Sequence, residues 1–141
     1  MMEKKEPPST VKGIMTRPVI TIDIDSSVRK AVRMMTKKNI GSIVVTKEGK
    51  PVGIVTERDF LQRVVAKGLD PSAIKMRMIM SQPIITVDEK MPILKAIRTM
   101  EKNRIRRLLV VKNDELVGIA TQRDLLRAIV FHVLISFRPL L

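Results

Sequence analysis

The sequence predicts an α+β fold of α/β sandwich-like type: two pseudo-symmetric β-α-β-β-α repeats packed through their sheets into one compact module. Three observations carry that prediction. The first is a duplicated signature, Gly53-Ile54-Val55-Thr56-Glu57-Arg58-Asp59 and Gly118-Ile119-Ala120-Thr121-Gln122-Arg123-Asp124, whose copies lie 65 residues apart. The second is that the same offset aligns Ile14-Met15 with Ile79-Met80, Pro18 with Pro83, Ile20-Thr21 with Ile85-Thr86 and Asp23 with Asp88. Without a gap, 21 of the 50 positions from 14 to 63 are identical to their partners. The third is a hydrophobic period that changes in the same order in each copy. Two copies make a pseudo-symmetric pair. At 141 residues, the length of one ordinary domain, they are expected to share one core.

In the first repeat, Val19-Ile20-Thr21-Ile22 is a short β-rich run after Pro18, and Asp23 to Ser27 supplies helix-starting residues. The apolar residues Val28, Ala31, Val32 and Met35 then fall at i, i+3, i+4 and i+7, one stripe of an amphipathic helix. Ser42 to Thr46 is a strand, Lys47-Glu48-Gly49-Lys50 a hairpin turn, and Pro51 to Val55 the returning strand. Thr56 opens a second helix that runs to about Ala66. The second repeat follows suit, with a strand at Ile84 to Val87 and a helix from about Met91 to Asn103 with Pro92 in its first turn. Strands at 107–111 and 116–120 and a helix from Thr121 complete it. The expected divisions are a flexible lead-in at 1–10, repeats at 11–70 and 71–130, and an apolar tail at 131–141.

Composition narrows the function. The absence of cysteine removes disulfides, thiolate metal sites and cysteine nucleophiles together. His132, the single histidine, stands in the apolar tail with no evident acid partner, so it is expected as a packed or interfacial residue, and no catalytic dyad or metal cage assembles around it. No Gly-x-x-x-x-Gly-Lys or Gly-x-Gly-x-x-Gly loop supports an ATPase or dehydrogenase. The chain reads as a non-enzyme with no catalytic residues and no metal. Met1 to Pro8 has no apolar stretch behind its charges, and Ala128 to Phe137 falls short of the ~20 apolar residues of a membrane span. A soluble, cytoplasmic protein is expected, with no membrane partner.

Twenty-seven Lys and Arg against fourteen Asp and Glu give a formal charge of +13, enough to attract nucleotides, nucleic acid or a phospholipid surface. Nonspecific nucleic-acid binding is therefore a rival function. With three Phe, no Tyr and no Trp, a stacking platform for single strands is nearly absent. A ligand-free structural adaptor is the third reading.

The repeated Thr-x-x-Asp is, taken alone, a capping box in which Thr bonds forward and the acid bonds back. Its context adds a second reading. Ile14-Met15-Thr16-Arg17-Pro18-Val19-Ile20-Thr21, Ile40-Gly41-Ser42-Ile43-Val44-Val45 and the closing Gly-Ile-Val-Thr-x-Arg-Asp together resemble a cystathionine-beta-synthase (CBS) domain. Ile79 to Thr86, Ile105-Arg106-Arg107-Leu108-Leu109-Val110 and Gly118 to Asp124 resemble a second. The resemblance covers residues 11 to 130 and implies a tandem pair, or Bateman module, of the stand-alone prokaryotic type. It implies a regulatory binder of adenosine nucleotides acting on an unidentified partner protein. AMP is favoured, with ADP or ATP possible as the regulatory ligand and S-adenosylmethionine left open.

The resemblance also gives Asp59 and Asp124 the ribose hydroxyls, and both uses can coexist because a carboxylate has two oxygens. Arg58 and Arg123 add charge for phosphate. Two composite clefts are implied. One combines Thr16, Pro18, Val19, Ile40, Gly41 and Ser42 with Ile119, Thr121, Arg123 and Asp124. The other combines Ser81, Pro83, Ile84, Ile105, Arg106 and Arg107 with Ile54, Thr56, Arg58 and Asp59. Ile54, Ile119, Ile40 and Ile105 have a core reading as well. Because Gly41-Ser42 stands where the second repeat has Arg106-Arg107, the cleft served by Asp59 is expected to bind phosphate more strongly. Leu125, Leu126, Ile129, Val130, Val133 and Leu134 exceed what one helix buries against its own repeat, and the resemblance implies a homodimer that covers them.

Overall fold

The computed structural model describes residues 8–136. Most of the expected lead-in and the last five residues of the apolar tail lie outside that range. Two β-α-β-β-α repeats follow one another. The first comprises β1 (Thr21–Asp23), α1 (Val28–Lys38), β2 (Ser42–Lys47), β3 (Lys50–Thr56) and α2 (Glu57–Phe60), which continues as a π-helical segment, Leu61–Val65. The second comprises β4 (Thr86–Asp88), α3 (Ile93–Asn103), β5 (Arg107–Lys112), β6 (Glu115–Thr121) and α4 (Gln122–Ser136).

Each repeat builds a three-stranded sheet, β1-β2-β3 or β4-β5-β6, with its first pair parallel and its second antiparallel. The hairpins close on two residues of positive φ, Glu48 and Gly49 in one repeat and Asn113 and Asp114 in the other. That backbone hand matches the twist of the flanking strands. β1 and β4 begin two residues later than expected. Ahead of them only the Ile20 and Ile85 carbonyls join the ladder, accepting from Val44 and Leu109. Pro92 is the residue before α3 and not part of its first turn; Ser27 at the same place before α1 accepts a bond from the Lys30 N–H.

The compact units do not follow the sequential boundaries of 11–70 and 71–130. One unit joins residues up to Pro18 to Ile85 and beyond, and the other spans Val19–Ile84. Each has its own buried cluster, where length alone predicted a shared core. Val11 and Met15 pack with Val87, Ile93, Leu108 and Leu125 of the second repeat. Ile74, Met76 and Ile79, in turn, pack with Val28, Ile43, Val55 and Val64 of the first. The backbone follows the side chains: Val11 N–H donates to the Met91 carbonyl, and Val28 N–H to that of Ile74. A repeat of this size has too little apolar surface of its own, and the lead segment of the other copy supplies the rest. His132 is packed within its own unit, with Nε2 2.8 Å from the Pro8 carbonyl oxygen.

Candidate functional site

β3 and β6 run straight into α2 and α4, so the Thr of each signature ends a strand and caps a helix. In the first copy Asp59 Oδ2 accepts from Thr56 N–H at 2.8 Å and from the Thr56 hydroxyl at 3.2 Å. In the second, Asp124 Oδ2 accepts from the Thr121 hydroxyl at 2.7 Å, and Asp124 N–H returns a bond to Thr121 Oγ1 at 3.2 Å. The capping reading of Thr-x-x-Asp thus holds in both repeats. It uses one carboxylate oxygen, Oδ2, and leaves Oδ1 outside the cap. Thr56 and Asp59 are each only 9% exposed, so the carboxylate is held in one orientation, whereas Asp124 is half-buried.

Beyond the cap the copies part. Arg63 Nε stands 3.8 Å from Asp59 Oδ1, and its Nη1 donates to the Ile79 and Met80 carbonyls at 2.7 and 3.2 Å. Arg63 therefore ties the signature helix to the segment that leads into Ser81. The corresponding position of α4 is Ala128, 4% exposed in the core. Sequence reasoning missed Arg63, although its spacing of four residues from Asp59 on a helix was the available signal. The helix also differs: α2 passes into a π-helical turn at Leu61–Val65, closed by Ala66 N–H on the Leu61 carbonyl, whereas α4 is α-helical throughout. The extra residue in the turn turns Val64 into the core and leaves Arg63 at the edge.

The signature glycines have a specific cause. A β-carbon on Gly53 would stand 2.7 Å from Met80 Sδ, and one on Gly118 would collide with Met15 in the same way. These methionines belong to the Ile-Met pairs that open each repeat. Next to them, Ile54 and Ser81 exchange backbone hydrogen bonds at 3.3 and 2.9 Å, and Thr16 and Ile119 do so at 2.8 and 3.0 Å.

One unit thus brings Ser81 beside Ile54, Thr56 and Asp59, with Ser42 paired to Thr56 and the Gly41 carbonyl accepting from Glu57. The other brings Thr16 beside Ile119, Thr121 and Asp124, with Arg107 paired to Thr121 and the Arg106 carbonyl accepting from Gln122. The predicted sets are divided by this grouping. Val19, Ile40, Pro83 and Ile84 lie in the unit of Asp59, while Pro18 and Ile105 lie in that of Asp124. Ile40 and Ile105 pack against the cores, and Ile119 is buried, as their core reading requires. Arg58 and Arg123 are exposed and form no ion pair among the described residues. Arg106 lines a cavity of about 490 Å³ with Ile97, Met100, Arg104 and Leu126, between α3 and α4. Among the described residues no helix is long and apolar enough to cross a membrane.

The family model for the CBS domain matches residues 11–66 and again 76–131. An uncharacterized protein of Methanopyrus kandleri, MK0525, is 39% identical over 120 residues, spanning 84% of this chain and 61% of that protein. The CBS domain-containing protein YhcV of Bacillus subtilis is 32% identical over 117 residues, 83% of each chain. Among solved structures, a hexameric CBS-CP12 protein from bloom-forming cyanobacteria superposes with a TM-score of 0.76 at 33% identity, over 86% of this chain and 73% of that one. The chain spans about six-tenths of the length of its Methanopyrus relative. With the family model matched twice over most of its length, the chain belongs to the CBS-domain family and carries two CBS domains in tandem.

Proposed function

We propose that this chain is a sensor of adenosine nucleotides, with AMP as its preferred ligand, that regulates a partner protein. CBS-domain pairs are regulatory modules that commonly bind adenosine ligands. The observation that carries the reading here is the oriented carboxylate in each repeat. The cap holds Oδ2 of Asp59 and Asp124 and leaves Oδ1 outside it for a ribose diol, in Asp59 with the Arg63 guanidinium 3.8 Å away, and Arg58 or Arg123 is adjacent in the chain for phosphate. Asp59, the more deeply buried and more rigidly held of the two carboxylates, marks the stronger site.

AMP at a hundredfold excess over its Kd should raise the unfolding free energy by about 2.7 kcal/mol, because it binds the folded chain alone. A melting-temperature panel of AMP, ADP, ATP and S-adenosylmethionine reads this directly, and no shift with any of them refutes the proposal. In calorimetry, Asp59→Ala should weaken AMP about ten- to a hundredfold through loss of charge-assisted hydrogen bonds. Unchanged affinity would transfer the principal site to Asp124.

We further propose a homodimer. Leu126, Val130, Val133 and Leu134 are each about half exposed on α4, and their i, i+4, i+7, i+8 spacing sets them on one apolar face that a second copy can cover. Sedimentation of a monomer at micromolar concentration would refute it.

A further inference from the structure

The outer face of α1 carries positive charge only. Its eleven residues include Arg29, Lys30, Arg33, Lys37 and Lys38, all exposed, and no acid. Arg29, Arg33 and Lys37 follow at intervals of four, a line about 12 Å long with about 6 Å between members, and Lys30 lies beside it. None of them takes part in an ion pair among the described residues. Of the acids near α1, Asp25 is engaged by Arg77 and Lys75, while Glu57 stands beside its C-terminal end, next to Thr36 and Asn39, away from the line of Arg29 and Arg33.

Helix stability does not account for this pattern. Lys37 and Lys38 in the last turn complement the helix dipole, but Arg29 and Lys30 in the first turn oppose it, and like charges at i, i+4 repel. The equivalent helix of the second repeat keeps Lys95, Arg98 and Lys102 but folds on the same plan with Leu94 in place of Arg29, Glu101 in place of Thr36 and Asn103 in place of Lys38. The fold therefore does not require the surplus charge.

We infer that the exposed face of α1 binds the phosphate backbone of double-stranded nucleic acid, independently of base sequence. The apolar stripe of α1, Val28, Ala31 and Met35, is buried in its own core, so the helix has no face to insert into a lipid surface. α1 carries no aromatic residue and Phe60 beside it is packed against the core, so the helix offers no platform of stacked aromatics for a single strand. A line of guanidinium and ammonium groups matches a rigid polyphosphate.

The test is binding of a 20-base-pair DNA duplex by the full chain, read by fluorescence anisotropy between 50 and 200 mM salt. Four phosphate contacts give a slope of log K against log salt of about −3.6, or roughly 150-fold weaker binding across that range. The triple substitution Arg29→Ala, Arg33→Ala, Lys37→Ala should flatten the slope by about 2.7. The substitution Lys95→Ala, Arg98→Ala, Lys102→Ala on α3 removes the same net charge and should flatten it by less than about 1. Unchanged circular dichroism confirms that both variants fold. Equal flattening by the two variants, or no duplex binding at 50 mM salt, overturns the inference. So does capture on vesicles of anionic phospholipid without duplex binding.

Discussion

Gly53 and Gly118 show how a motif residue can be explained by a single contact. Each lies against the methionine of an Ile-Met pair from the other repeat's lead segment, at a separation that leaves no room for a β-carbon. Gly53→Ala should therefore cost about 1–3 kcal/mol of overpacking in chemical denaturation. Met80→Ala in the same chain should recover part of it by vacating the space. Asp25 makes a second argument at this scale. Its bond from Arg77, reinforced by the charges of Arg77 and Lys75, holds the carboxyl below its ordinary value of 3.8. A lowered folded-state pKa contributes stability above the unfolded value, and that contribution is lost as pH falls through the folded one. Melting curves of the parent and of Arg77→Ala should hence differ above about pH 4 and converge in stronger acid. The second repeat has Lys90 and Lys12 at these positions, so the pair has no counterpart there.

Among the elements, the two signature helices carry the main divergence between repeats. Arg63→Ala should destabilise the chain by about 1–3 kcal/mol, because the Ile79 and Met80 carbonyls lose their donor, and urea denaturation measures it. Ala128 of α4 is enclosed, so the reverse change, Ala128→Arg, should cost more than that. The helix ends diverge too. α1 ends on Asn39 and α3 on Arg104, both left-handed. Asparagine tolerates that conformation better than arginine, so Arg104→Asn should raise stability by a few tenths of a kcal/mol, up to about 1. Equal melting temperatures of the two chains would count against the strain.

For the whole molecule, the exchange of lead segments makes a prediction that sequential repeats would not. Met76 opens the second repeat in sequence but is fully buried in the cluster of the first. Met76→Ala should cost about 2–5 kcal/mol. Hydrogen exchange should then quicken in β1, β2, β3 and α1, with the sheet of β4, β5 and β6 protected as before. Faster exchange confined to the second sheet would contradict the assignment of Met76 to the first unit.

The sequence by itself determined the repeat, its order of elements and the capping role of Thr-x-x-Asp, since these rest on spacing along the chain. The stripe of Val28, Ala31 and Met35 became the buried face of α1, and the turn at Glu48-Gly49 became a hairpin, because period and turn chemistry are local. Tertiary structure alone decided which core each lead segment completes. It also decided that Arg63 reaches two carbonyls and why the signature glycines tolerate no β-carbon. Each of these depends on contacts between residues about 16 to 110 positions apart, and a pattern read along one strand or helix holds no information about what packs across it.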